Sequence, residues 1–290
     1  MSKTRARAFN LLGNIAVVNF PRKFRVKDKK KFAEEILKSN KSIRTVLEKK
    51  GKIKGRLRKI STQWIAGEKT KEALYKENGC VFRFNVDTTY FSPRLSNERK
   101  EIASLIRKTD SVLVMFAGVA PLPIVIAKHS GARIFSNEIN RDANKYGRLN
   151  AELNKLKNKV IFLDGDIKRI VKKIISSFHR PSLAHPPRRN QNNVNVENMT
   201  ESIIPRYFDF IIMPRPQLKD SFLEQAFYLS KKGTKIYYYD FCRVGEEKEI
   251  VEKIKHEAGK FKKKIKILNI KHAGEIAPYK IRLRVDFVVL

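Results

Sequence analysis

Apolar and polar residues alternate differently in the two parts of this chain. Up to about residue 90 the runs are short. "NIAVVNF" (residues 14–20) predicts a strand, and "KKKFAEEILKSN" (29–40) spaces its apolar residues as an amphipathic helix. "RTVLEKK", "RKISTQWIAGE", "KEALYKENG" and "CVFRFNVD" predict further strands with turns between them. Residues 1–90 therefore predict a small α+β domain. Next, Ser96 followed by Asn97, Glu98 and Arg99 predicts a helix start, with Ile102, Leu105 and Ile106 at helical spacing.

From Lys108 onward, strands and helices alternate. "SVLVMFAG" predicts a strand, "PIVIAKHSG" a helix, "ARIFSNE" a strand, "NKYGRLNAELNKL" a helix, "VIFLDGD" a strand and "IKRIVKKIISSF" a helix. "FDFIIMP", a helix over 219–231, "TKIYYYDF", a helix over 246–256, "KIKILNI" and "IRLRVDFVVL" follow. This order predicts an α/β domain over 91–290, with a mostly parallel sheet covered on both faces. The last two strands have no helix between them and predict an antiparallel pair. A stretch rich in Pro, Asn and Arg, "HRPSLAHPPRRNQNNVNVENMTES", interrupts the alternation and predicts a mobile insertion over 179–204. Its alternative reading is a basic flap, with Arg188 and Arg189 on phosphates.

Charge narrows the partners. Of 290 residues, 63 are Lys or Arg and 29 are Asp or Glu, a formal net charge of +34. A heat-adapted surface would balance Lys with Glu; this excess points to a polyanion, and so to nucleic acid. No run of about 18 apolar residues predicts a membrane span, and no signal peptide is apparent. Cys80 and Cys242 show no metal-ligand spacing with His, so neither a metal site nor disulfide chemistry is expected, and the compartment reads as reducing and cytoplasmic. Nothing indicates an oligomer.

Candidate chemistry sits where parallel strands end, since open sheets bind ligands beyond their carboxyl edges. The first such strand ends in "MFAGVAPLP", where Gly118 permits a tight turn. The second ends in Glu138, placed to accept from ribose hydroxyls, and the third in Asp166, placed to accept from an adenine amine. Each residue alone reads equally as a turn glycine, a helix cap or a solvated acid. Their order suggests a nucleoside cofactor. The missing glycines of a pyrophosphate loop point away from NAD and towards S-adenosylmethionine.

"YKENGC", "YFSPRLSNER", "MFAGVAPLP", "NEIN", "FLDGD" and "IAPYKIRLRVDFVV", in this order, resemble the tRNA guanosine-37 nitrogen-1 methyltransferases of archaea and eukaryotes, including the branch acting on wyosine-type bases. The resemblance runs from about Gly13 to the end. It implies a class I, Rossmann-like methyltransferase domain behind a small middle domain. It also implies a chain that starts at that middle domain, without the further N-terminal domain of many members. Arg94 would pair with the methionine carboxylate of S-adenosylmethionine. Phe116, Gly118, Glu138, Ile139, Asp166 and Ile167 would hold the rest of that cofactor. Tyr90 would lie beside the flipped base at tRNA position 37, in the anticodon region. Glu98 would be the general base, and Arg58 would stabilise charge on the base, a role that plain phosphate contact rivals.

Three departures qualify the resemblance. Val114 stands where the family carries aspartate, and Ala120 where it carries glycine. In "IIMPRP", Pro214 replaces an asparagine, with Arg215 and Pro216 after it. Proline offers neither an amide nor a backbone N–H. That change resembles the branch that methylates carbon 7 of 4-demethylwyosine, with or without nitrogen 1 of guanosine; an ordinary guanosine substrate is the alternative. Transfer of an aminocarboxypropyl group disagrees with Arg94, and an inactive tRNA-binding protein of this fold is the reading that Val114 and Ala120 motivate.

Overall fold

A computed structural model describes residues 9–21, 23–55, 57, 59–178, 204–214 and 220–290. The predicted insertion falls outside them, apart from Ile204, as do Arg58, Arg215 and Pro216.

The N-terminal part forms a four-stranded sheet in the order β1 (Phe9–Leu12), β2 (Ile15–Val18), β3 (Thr45–Lys54), β4 (Lys59–Gly67). Strands β2 and β3 are parallel, and α1 (Val26–Ser39) forms the crossover between them. Ala33 and Ile36 of α1 pack with Ala16, Val18, Ile43, Val46 and Ala66, so the period-3.6 face of the helix meets the period-2 face of the strands. Strand β1 was not legible as a strand; it exists as the partner of β2 in an antiparallel hairpin.

A separate hairpin follows: β5 (Glu72–Glu77) and β6 (Cys80–Asn85), antiparallel, joined by Asn78 and Gly79 at φ +48° and +69°. These are the dihedrals of a two-residue turn in which Asn-Gly is favoured. Helix α4 (Arg141–Leu153) acts as a further strand for β6. Asn150 Oδ1 accepts from Arg83 N at 2.7 Å and its Nδ2 donates to Arg83 O at 3.1 Å. Asn154, one turn on, repeats this with Val81 at 2.9 and 2.7 Å. Four residues of helix rise about 6 Å and two of strand about 6.8 Å, so the two side-chain amides match two successive strand positions.

The larger sheet has seven strands in the order β12 (Ile265–Ala277), β13 (Lys280–Val289), β11 (Ser230–Arg243), β10 (Phe208–Met213), β7 (Ser111–Val114), β8 (Arg133–Glu138), β9 (Val160–Asp164). Strand β7 is parallel to β8 and β10, and β10 to β11; β13 is antiparallel to β12, the expected pair, and also to β11. The helices are α2 (Ser96–Ser104), α3 (Pro121–Ser130), α4, α5 (Ile167–Ser177), α6 (Leu223–Tyr228) and α7 (Glu247–Lys260). The chain runs from β7 through β8 to β9, then returns to the other side of β7 with β10. The carboxyl end of β7 is thus the point where strand order reverses.

One expectation is corrected. The helix predicted over 219–231 is only α6. Phe222 sits at φ +56°, which ends the helix on its N-terminal side, and Ser230 pairs with Phe208 as the start of β11. Packing divides the chain into two compact units, one within Met1–Ile106, Ala117–Gly131 and Glu138–Asp164, the other within Arg107–Phe116, Ala132–Asn137 and Gly165–Leu290.

Candidate active site

In the first unit, the site is built on the stretch from the β5–β6 hairpin to α2. Asn85 Oδ1 accepts from Asp87 N and Thr88 N, a side-chain turn that redirects the chain after β6. Thr88 O accepts from Asn140 Nδ2 at 2.8 Å. Phe91 is buried and stacks on Phe84 at 4.6 Å, with Tyr75 at 4.9 Å. A 3-10 turn over Pro93–Leu95 carries Arg94, and α2 then begins at Ser96, the predicted start.

Glu98 and Arg99 are both buried, which a solvated first-turn charge would not be. Arg99 makes a two-pronged ion pair with Glu77: Nε donates to Oε1 and Nη2 to Oε2 at 2.6 Å, with both side chains almost fully enclosed. Removing either partner alone would leave an uncompensated buried charge, a cost on the order of 3–5 kcal/mol. The charge signal of "NER" was legible, but the partner of its arginine was not.

Gly118 has φ +60°, and a Cβ there would lie 3.2 Å from Tyr90 O. Its amide donates to Glu138 Oε2 at 2.9 Å, while Oε1 accepts from Ile139 N and Asn140 N at 2.8 Å each. Tyr90, Gly118, Glu138 and Ile139 are therefore brought together, with Arg94 and Glu98 on the segment that Tyr90 opens. Ala120 occupies φ +62°, ψ +35°, a left-handed conformation natural to glycine, at a cost on the order of 1 kcal/mol.

In the second unit, Ile212 of β10 is level with Val114 of β7, and Pro214 and Phe116 follow the carboxyl ends of these two strands. Val114 itself is fully buried between Ser136 and Ile212. Phe116 has φ +57° and meets Phe222 edge-on at 5.1 Å. Asp166 caps α5, accepting from Lys168 N at 2.9 Å, and Ile167 is buried. Lys168 pairs with Asp220 at 2.5 Å, and Asp220 also accepts from Phe222 N. Phe222, Lys168 and Asp220 were not singled out in the sequence. Both cysteines are free and buried; burial pushes the Cys80 thiol up to about 11 and raises that of Cys242, so neither supplies a thiolate near neutral pH.

Residues 73–180 match the TRM5/TYW2 methyltransferase domain, and residues 2–70 the TYW2 N-terminal domain. The tRNA (guanine(37)-N(1))/4-demethylwyosine(37)-methyltransferase Taw22 of Nanoarchaeum equitans is 33% identical over 305 aligned positions, covering 98% of this chain and 100% of the relative. The chain belongs to the TRM5/TYW2 methyltransferase family. The tRNA (guanine(37)-N(1))-methyltransferase Trm5b of Pyrococcus abyssi is 30% identical over 97% of this chain and 74% of its own length. Its crystal structure superposes with a TM-score of 0.77, at 29% identity over 98% of this chain and 75% of that one. The Pyrococcus horikoshii TYW2 structure shares the fold, with a TM-score of 0.75 at 19% identity over 98% and 91% of the two chains.

As a TRM5/TYW2 enzyme, the chain uses S-adenosylmethionine as its donor. The residues present fit that group. Glu138 Oε1 already accepts two backbone bonds and Oε2 one, so Oε2 keeps capacity for a hydroxyl donor. Gly118 lets the backbone turn beside it without a side chain in the way.

Proposed function

We propose that this enzyme methylates the purine at position 37 of tRNA, next to the anticodon, with carbon 7 of 4-demethylwyosine as a substrate, alone or together with nitrogen 1 of guanosine. The observation that carries this reading is the segment of residues 90–99, which sets a buried Glu98 on the same short stretch as Tyr90, itself against Gly118 and so beside Glu138. The choice of base is supported by Taw22, whose name joins both reactions, and by Pro214 at the end of β10. A proline there demands no hydrogen-bond partner, which suits a larger apolar tricycle.

Bound S-adenosylmethionine supplies an electrophilic methyl group. The chain supplies the rest. Tyr90 stacks on the extruded base. Arg94 pairs with the donor's carboxylate, while Phe116, Gly118, Glu138, Ile139, Asp166 and Ile167 hold its remaining parts. Glu98 takes the ring proton, from nitrogen 1 of guanosine during attack or from carbon 7 of the tricycle afterwards. Arg58 stabilises negative charge on the neighbouring oxygen, and Pro214 and Pro216 border the base. Residues 1–90 form the tRNA-contacting domain and 91–290 the methyltransferase domain, in the cytoplasm. Among the described residues, no helix is long and apolar enough to cross a membrane.

A second reading, guanosine nitrogen 1 alone, is favoured by the likeness to Trm5b. The test offers purified enzyme and labelled donor to tRNA carrying either guanosine or 4-demethylwyosine at position 37. Modified nucleosides are then identified by mass. Product from the tricyclic precursor is expected; product only from guanosine would sink the first reading.

A further inference from the structure

The tip of the β5–β6 hairpin bonds two residues of the 90–99 segment, Ser96 and Arg99, and Arg99 carries the hold on to Ser92. Asn78 Nδ2 donates to Ser96 O at 3.0 Å, with Ser96 Oγ at 3.3 Å. Its neighbour Glu77 takes both prongs of Arg99, and the same Arg99 Nη2 donates to Ser92 O at 3.0 Å. The Arg99 guanidinium also lies 5.2 Å from the Phe91 ring centre. Arg94 lies between the anchored carbonyls of Ser92 and Ser96, and Glu98 between Ser96 and Arg99. The two residues assigned to donor and proton are thus on short spans whose ends are fixed.

Local sequence does not require these anchors. The Asn-Gly turn needs positive φ at Asn78, not its side-chain amide. Glu77 is a strand end that could face water, yet its carboxylate is enclosed with Arg99. A buried, forked pair fixes the angle of a helix more tightly than a single contact, because two parallel bonds set orientation as well as distance. Reacting groups tolerate little misplacement.

Resting on the role of Glu98 proposed above, we infer that Glu77 and Asn78 are positioning residues for methyl transfer: the hairpin tip brackets residues 92–99 and holds Arg94 and Glu98 in working geometry. Neither residue touches the substrate in this scheme; both act through Ser92, Ser96 and Arg99.

The test compares E77Q, N78G and E98Q in the full chain. It measures kcat and KM for tRNA, donor affinity by calorimetry, and thermal melting. N78G keeps a residue suited to φ +48° and deletes only the side-chain bonds, so the fold survives even where E77Q does not. The expected result for N78G is a kcat at least about tenfold lower and a weaker donor affinity, with KM for tRNA within about threefold of the parent. A folded E77Q should lose more. Parental kcat in N78G, with E98Q impaired, would overturn the bracket while leaving the role of Glu98 intact. Parental turnover in E98Q would overturn the role of Glu98, and N78G then judges the bracket by itself: a fall in kcat supports it and an unchanged kcat overturns it.

Discussion

The amide of Gly118 donates to Glu138 Oε2 at 2.9 Å, tying the turn after β7 to the end of β8 across 20 residues of sequence. With Ile139 N and Asn140 N on the other oxygen, the carboxylate is held by three backbone donors and is itself buried. Glu138→Ala removes the acceptor for all three. Donor affinity measured by calorimetry should fall roughly 10- to 100-fold, since hydrogen bonds to a charged group are worth about 1.5–3 kcal/mol. The melting temperature should fall as well.

Gly118→Ala tests the turn itself. A methyl group at φ +60° is strained and would press on Tyr90 O. A loss of about 1–2 kcal/mol in stability is expected from the backbone alone, read by denaturant unfolding, with weaker donor binding alongside it.

Glu98→Ala should reduce single-turnover methylation by roughly 10²- to 10⁴-fold, the usual contribution of a general base. Calorimetric donor affinity should stay close to that of the parent. Unchanged turnover would remove the residue from the mechanism.

Asp209 accepts from Ser111 N at 2.8 Å and pairs with Lys231 at 2.8 Å. Burial would push its carboxyl up, but the bonds from Lys231 and Ser111 outweigh this and hold it below the ordinary carboxylate range. A depressed acid stabilises the fold above its unfolded value, near 3.9, and that stability is lost as pH falls through the lower folded value. At the other extreme, burial and the Asp240 charge push the Tyr238 phenol up to about 12. Its stabilisation is complete below about 10 and is lost as pH rises through the folded value. Melting curves should therefore show an acid limb that Asp209→Asn flattens and an alkaline limb that Tyr238→Phe flattens.

Asn150 is fully buried and bonds Arg83 N, Arg83 O and Val119 O. Asn150→Ala strands buried backbone groups of β6 and should cost roughly 2–4 kcal/mol. Asn150→Asp keeps the acceptor but loses the donors, and should fall between. Urea unfolding of both variants checks the order.

Some of this was readable from local pattern. The alternation from Lys108 to Leu290, the helix start at Ser96 and the ordered strand ends at Gly118, Glu138 and Asp166 are all short-range signals: period, turn chemistry and capping. Strand β1 was missed because four residues carry too little period. The helix over 219–231 was overextended because the positive φ of Phe222 is not written in its residue type.

The sequence by itself determined most of the elements and which residue types end each strand, because backbone period and turn preference act over a few neighbours. It also determined a net charge of +34, and with it attraction to a polyanion. Only the tertiary structure decided that Glu77 enclosed Arg99, that Tyr90 met Gly118, and that Asn150 of α4 and Asn154 at its C-terminal cap served as a strand for β6. These pairings span 22 to 73 residues. Their partners are chosen by burial, where an unpaired charge or amide is costly, and that cost exists only once the chain has closed around them.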